Sequence, residues 1–356
     1  MGPLPSQAPP TASQYRIFAS FCSRLPPTSN WIESYNPSDN TWHHVGPIPG
    51  LVDGHALKGF AMVAIHHEVY VIGGRLCRRK EGSGDGAAAA EEDVAVVPTV
   101  LRCDAQSGEW SECAPLGTPR FDFACSVLGE RIYVAGGKTA LRCARGICSS
   151  EVYDPKANEW KSLPDMSRLR YKCVGVAWQG KMYVVGGFAE RTDDSEKKIF
   201  EWTERSSVEV FDTVSGTWEL NLMMWRLDVP PNQIVAVGDK LYSSGDCLNT
   251  WKGHIEAYDG SVNLWNVVEQ SHLKNFCSSE QIEIEKVLYL TMAPIGSHLY
   301  FLAGYRLLGE GEAVRSMSAV YRFDTSAAGE AWSSYEPMEE QRDKQLCSHS
   351  CVARLS

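Results

Sequence analysis

Two short signatures alternate along this chain, and their order restricts the fold more than any other feature. The first is a tyrosine three residues ahead of a glycine pair, at Tyr70/Gly73-Gly74, Tyr133/Gly136-Gly137 and Tyr183/Gly186-Gly187. Degenerate copies stand at Tyr242/Gly245-Asp246 and Tyr300/Ala303-Gly304. The second places a residue before Asp or Asn seven positions ahead of a tryptophan. It reads Tyr35-Asn36…Trp42, Cys103-Asp104…Trp110, Tyr153-Asp154…Trp160, Phe211-Asp212…Trp218 and Tyr258-Asp259…Trp265. A sixth copy, Phe323-Asp324…Trp332, is longer by two residues.

The clearest unit runs from Arg120 to Met166. Its apolar runs Phe123–Leu128, Ile132–Ala135 and Val152–Tyr153 are separated by turn formers at Gly129-Glu130, Gly136-Gly137 and Asp154-Pro155, and a fourth run begins at Trp160. Short runs punctuated in this way predict a four-stranded antiparallel meander. One meander cannot bury both of its faces, so the pattern requires neighbours of the same kind, and six Trp-ended units supply them. The glycine pair permits positive φ and close aromatic approach, and each Trp can bury about 150–250 Å² between units. These residues are read as architecture, without chemistry.

An arginine (Arg120, Arg170), an apolar strand, a tyrosine strand ending in Gly-Gly, a Tyr-Asp-Pro-like turn and then Trp together resemble the kelch repeat. The resemblance extends from Tyr15 to Leu355. It implies an all-β fold, a six-bladed kelch β-propeller with four-stranded antiparallel blades. Residues 1–14, rich in Pro and Ser, are expected to form a disordered tail, and residues 15–356 a single domain. The strand near Tyr15–Phe21 has no partner before it, whereas Leu346–Leu355 reads as the strand the first unit lacks. The C-terminal strand is therefore expected to close the first blade, because closure removes exposed sheet edges.

The net charge of −10 argues against general nucleic-acid binding, since an acidic chain is repelled by phosphates. No apolar run approaches the roughly 20 residues that span a bilayer. The start lacks a basic n-region and an apolar h-region, so no signal peptide is expected, and twelve cysteines then read as reduced, mostly buried thiols. Cytoplasmic or nuclear residence follows as an expectation.

Antiparallel alternation brings the turn after each second strand and the links between units to one rim. The longest segments crowd it: the insertion after Gly74, whose low-complexity stretch Gly82–Ala90 predicts a mobile loop, the loop Lys138–Cys148, and the insertion Glu190–Arg205. Loops on a rigid scaffold are where binding usually resides. Some kelch proteins hold an acidic peptide with arginines at these two kinds of position, and the resemblance implies Arg75, Arg120 and Arg170 as partner-binding residues here, through bidentate carboxylate contacts. Arg142 and Arg226 complete the candidate set, with Arg145, Arg78 and Arg79 behind them. The competing reading of Arg120 and Arg170 is that they brace strands.

The expected function is a non-catalytic protein-recognition module, binding another protein or an acidic peptide segment, with no cofactor and no metal. Plant relatives carrying an N-terminal F-box present substrates to a ubiquitin ligase. Fourteen residues before the first strand are too few for that helical domain, so ligase recruitment is carried as an association. The alternative is a small-molecule enzyme of the same fold, a sugar mutarotase or a specifier protein. The specifier iron motif Glu-x3-Asp-x3-His is absent, because Tyr35 stands where Glu belongs ahead of Asp39 and His43.

Overall fold

The computed structural model describes residues 14–23, 29–79, 91–191, 204–227, 229–247, 251–272, 283–308, 314–341 and 343–355. The expected tail, the stretch Gly82–Ala90 and most of the insertion Glu190–Arg205 lie outside the described residues. The fold is all-β. Six main antiparallel sheets follow one another along the chain. From inner to outer strand, the first contains Lys344–Arg354, Tyr15–Ser23, Asn30–Asn36 and Thr41–Pro47, and the second Ala61–Ile65, Glu68–Ile72, Val100–Asp104 and Trp110–Cys113. The third contains Ala124–Leu128, Arg131–Ala135, Ser150–Asp154 and Glu159–Leu163, and the fourth Val174–Trp178, Lys181–Val185, Val208–Asp212 and Thr217–Asn221. The fifth contains Ile234–Val237, Lys240–Ser243, Glu256–Asp259 and Leu264–Val267. The sixth contains Glu283–Ile295, His298–Leu308, Val314–Asp324 and Trp332–Ser334, with Met338–Glu340 also paired to its third strand.

The seven-residue spacing has a direct cause. Tyr153 lies opposite Trp160 across the last hairpin of its sheet, as do Phe211 and Trp218, Tyr258 and Trp265, Tyr35 and Trp42, and Cys103 and Trp110. Phe323 and Trp332 keep the same pairing, so the two extra residues lengthen the turn without shifting register. Opposed aromatic pairs stabilise a sheet by roughly 0.2–1 kcal/mol each; the Tyr153–Trp160 and Phe211–Trp218 centroids are both 5.0 Å apart. The intervening Asp closes the turn, since Asp154 Oδ1 accepts the backbone N–H of Lys156 at 3.0 Å. Three of the indole N–H groups then reach the segment that follows the preceding sheet. Trp160 donates to Ala114 O at 2.9 Å, Trp218 to Pro164 O at 2.8 Å and Trp265 to Met224 O at 2.8 Å. One side chain thus completes a hairpin and joins two sheets.

The glycine pairs bind the following link. Gly73 and Gly136 have φ of 61° and 71°, and a Cβ on either would stand 2.7 Å from a carbonyl oxygen, that of Arg120 or of Arg170. No side chain fits there. The next glycine in each pair donates its N–H to the same carbonyl, Gly74 to Arg120 O at 2.8 Å and Gly137 to Arg170 O at 2.7 Å.

Lys344–Arg354 pairs antiparallel with Tyr15–Ser23, the pairing expected for the chain ends, with an irregularity near Ser20. Inner strands contact one another from sheet to sheet, and Lys344–Arg354 contacts both Ala61–Ile65 and Glu283–Ile295. A cavity of about 670 Å³ touches the inner strands of all six sheets.

The insertion after Gly74, expected to be a mobile loop, departs from that reading at its flanks. Arg75–Arg79 and Glu91–Val96 are strands, and with His55–Lys58 they form an additional three-stranded sheet. Opposed charges line this hairpin: Arg75 meets Asp93 at 3.0 Å and Arg78 meets Glu92 at 3.0 Å. A composition scan registers low complexity at the tip and misses the alternating charges beside it.

Candidate functional site

A buried cation–carboxylate motif underlies the rim. Arg120 donates Nη1 to Gly136 O and Ser149 O, each at 2.9 Å, and Nη2 to Glu151 at 2.6 Å. Fifty residues on, Arg170 repeats the arrangement with Gly186 O at 3.0 Å, Ser207 O at 3.3 Å and Glu209 at 3.0 Å. Both arginine side chains are 0% exposed. Glu151 also accepts the N–H of Gly117 and of Thr118, so the carboxylate ties link to sheet. Arg120 and Arg170 therefore cannot meet a partner. Their donors are committed inside the protein, and the partner-binding reading of these two residues gives way to bracing.

The same carboxylate recurs where sequence reading overlooked it. Glu33, Glu151, Glu209 and Glu256 each stand two residues before the Tyr or Phe of the Trp signature, in the pattern Glu-x-Tyr/Phe-Asp/Asn. Their cations are Lys344, Arg120, Arg170 and Arg226. Lys344 is nearly buried, 2.7 Å from Glu33, with its ammonium over Phe21 and Trp42. It ties the C-terminal strand to the first sheet.

The accessible rim is built from the residues next to these braces. The residue after each of the first two glycine pairs packs on the aromatic residue after the next bracing arginine. Arg75 lies 4.9 Å over Phe121, and Lys138 Nζ lies 3.9 Å over Tyr171. Cations held on aromatic faces are attracted by the ring quadrupole, by about 0.5–1 kcal/mol where exposed. Asp122 and Lys172 follow those rings, both with positive φ. A chain of backbone hydrogen bonds carries the rim from sheet to sheet, Asp122 N to Gly59 O at 2.8 Å and Lys172 N to Asp122 O at 2.7 Å. Asp122 and Lys172 also line the central cavity.

Electrostatics divides the rim. Burial opposes the charge on Arg75, yet Asp122 and Asp93 outweigh it and hold the guanidinium above the usual arginine value. Burial pushes the Asp122 carboxyl above the usual carboxylate range, against the pull of Arg75, Lys172 and Lys138. Arg75 is thus an internally neutralised rim residue. Arg142 is exposed and has no ion pair among the described residues. Arg226 is half-exposed, paired with Glu256 and donating to Trp265 O at 3.2 Å. Arg145 pairs with Glu190 at 2.8 Å and Arg78 with Glu92, while the side chain of Arg79 lies outside the described residues. Lys138 and Lys172, which sequence reading did not single out, occupy the rim beside Arg142. Their signal was positional: each stands a fixed distance after a repeat landmark.

Deeper in the cavity the titratable lining is cysteines, Tyr289 and one imidazole. His349 lies on the C-terminal strand, and burial lowers its imidazole to about 4. Among the described residues no three His, Cys, Asp or Glu side chains gather as metal ligands, and no helix is long and apolar enough to cross a membrane.

Comparison with known proteins agrees with this repeat geometry. The Kelch motif family matches residues 119–167 and 169–220, the two units braced by Arg120 and Arg170. An F-box/kelch-repeat protein of Arabidopsis thaliana is 32% identical over 223 residues, covering 61% of this chain and 52% of that protein. The F-box/kelch-repeat protein SKIP30 of the same plant is 28% identical over 235 residues, 64% of this chain and 58% of its own length. Kelch-like protein 23 of Pongo abelii is 26% identical over 189 residues, 53% of this chain and 27% of that protein. The chain thus spans about half the length of the plant relatives it matches. Matched repeats, paired signatures and buried braces point the same way: two units match the Kelch motif, and the chain is similar to kelch-repeat proteins.

Proposed function

We propose that the six sheets are the blades of a closed six-bladed propeller and that its loop rim recognises a partner protein through an acidic segment. Closure is supported by the pairing of the chain ends and by the single cavity touching all six inner strands. A ring without free inner edges is rigid, and rigid scaffolds suit recognition by loops.

The observation that carries the binding reading is the rim surface itself. Lys138 and Lys172 both face Asp122, Lys138 fixed on Tyr171 and Lys172 fixed by its backbone to Asp122, and exposed Arg142 follows in the loop after Lys138. Preorganised cations lose little freedom when a carboxylate arrives. Arg226 extends the basic surface toward the fifth sheet, and Arg75 shapes it from the second.

A non-catalytic role is favoured over a small-molecule enzyme of this fold, because the cavity lining offers one carboxylate, Asp122, and one imidazole, His349. General acid–base work on a sugar calls for a convergent pair. The proposal extends to substrate recruitment for a ubiquitin ligase, the role that resemblance to F-box/kelch proteins implies. It also extends to residence in cytoplasm or nucleus, where thiols stay reduced; six of the eleven described cysteines are buried.

Affinity purification with mass spectrometry, comparing the wild-type chain with a Lys138→Glu/Arg142→Glu/Lys172→Glu variant, tests the reading. Loss of a discrete partner set from a variant with unchanged circular dichroism supports it. An unchanged partner set overturns it.

A further inference from the structure

A second surface lies between two neighbouring sheets. The fourth and fifth sheets part around a groove of about 980 Å³ lined by Tyr183, Tyr258 and the turn residues Gln179, Asp239 and Lys240. Those turns join the first and second strands of their sheets, so they sit at the opposite strand ends from the glycine pairs. None of Arg75, Lys138, Arg142, Lys172 and Arg226 lines the groove, while its other end, at Leu222, Val267 and Glu269, reaches the link that carries Arg226.

One wall of this groove is apolar and continues onto open surface. Leu222 and Val267 line it, and Met223, Val262 and Leu264 adjoin them; all five side chains are between 45% and 57% exposed. Asn263 Nδ2 donates to Leu222 O at 3.4 Å, which holds the two segments side by side. The sheet edge beside them carries no Asp, Glu, Lys or Arg, as at Thr41–Pro47 and Trp332–Ser334, but unlike those it exposes large apolar side chains. The outer strands of the second, third and fourth sheets carry Glu112, Glu159 with Lys161, and Glu219, charges that discourage pairing with another chain. The outer strand Leu264–Val267 carries none and exposes Leu264 and Val267. A contiguous apolar patch beside a concave groove is the physical signature of a docking surface.

Charge selects the occupant. Asp239, Asp259 and Glu269 line the groove against Lys240 alone, three carboxylates facing one ammonium. All four are exposed, and hydrogen bonds from Ser261 hold the Asp259 carboxyl below its usual value, so it remains ionised. A second copy of this chain would bring the same negative sign to the interface. We propose that this groove docks a segment of a partner protein in which apolar or aromatic anchors are flanked by lysine or arginine. The anchors occupy the wall at Leu222 and Val267, and the basic residues meet Asp239, Asp259 and Glu269. The protein then has two binding faces of opposite preference, acidic segments on the rim and basic apolar segments here.

Panning a random dodecapeptide phage library on the purified full chain, then titrating the enriched peptide by fluorescence anisotropy, tests this. The expected peptide combines aromatic or aliphatic residues with Lys or Arg. Its affinity should fall at least tenfold in Leu222→Asp/Val267→Asp, fall several-fold in Glu269→Lys, and rise in Lys240→Glu. It should be unchanged in Lys138→Glu/Lys172→Glu. These positions are exposed, so the variants are expected to fold, and matching thermal melts check that. Enrichment of acidic peptides, absence of enrichment, or binding lost only in the rim variant overturns the proposal. So does a concentration-dependent dimer in sedimentation that Leu222→Asp/Val267→Asp abolishes, because a second copy would then be the occupant.

Discussion

Arg170 and Glu209 form an ion pair 3.0 Å apart with both side chains 0% exposed, and the same geometry recurs fifty residues earlier between Arg120 and Glu151. The first pair is sealed from solvent, and in the second only Glu151 keeps a trace of exposure, 6%. Each guanidinium also bonds two carbonyl oxygens, so the charges are compensated inside the protein. Breaking such a pair is costly because it strands one buried charge.

Arg170→Ala is accordingly expected to destabilise the fold by about 3–5 kcal/mol, measured by urea denaturation. Arg170→Lys should recover little of this, since one ammonium cannot reproduce a planar fork serving a carboxylate and two carbonyls. A loss below about 1 kcal/mol would show that the brace is idle.

Gly136 tests the glycine argument by itself. Gly136→Ala places a Cβ 2.7 Å from Arg170 O at positive φ, whereas Gly129→Ala meets open space at similar φ. Both variants carry backbone strain of order 1 kcal/mol, and only the first adds a clash. Thermal unfolding should show Gly136→Ala clearly less stable than Gly129→Ala; equal losses would remove the close approach as the reason for the pair.

The histidine on the C-terminal strand implies a pH dependence. Burial lowers His349 from 6.5 in the unfolded chain to about 4 in the fold. The unfolded state binds more protons in that window, so stability is full above pH 6.5 and declines as pH falls toward 4. The contribution is on the order of 3 kcal/mol. His349→Leu should flatten this part of the acid limb in denaturation curves taken from pH 7.5 to 4. An unchanged limb would assign the acid sensitivity to carboxylates.

Lys344 fastens the C-terminal strand by pairing with Glu33 at 2.7 Å and Glu340 at 2.6 Å. Lys344→Met is expected to loosen that strand, read as faster amide hydrogen exchange across Gln345–Val352 and earlier proteolysis there. Truncation before Lys344 leaves Tyr15–Ser23 as an open inner edge and should yield an aggregating protein. A soluble, monomeric truncated chain would contradict the closed ring.

Local signals in the sequence determined the strands, the turns and the six-fold order. Tyr153 and Trp160 sit seven apart because they face each other across one hairpin, and Gly136-Gly137 marks where the next link crosses. These relations lie within a few dozen residues, and periodicity and turn chemistry report them directly. The Glu-x-Tyr/Phe-Asp/Asn pattern at Glu33, Glu151, Glu209 and Glu256 was equally legible and simply goes unread without a reason to look for it. Tertiary structure alone decided which arginines are free. Arg75, Arg120, Arg142 and Arg170 all stand at loop or link positions, and nothing in their neighbours along the chain separates a brace from a surface cation. The separation is made by Glu151 and Glu209, thirty-one and thirty-nine residues away, and by carbonyls of the adjoining sheet. The groove between the fourth and fifth sheets belongs to the same class, since Leu222 and Val267 meet only when the sheets pack. Burial and pairing depend on what closes over a side chain, and here that is always the neighbouring sheet.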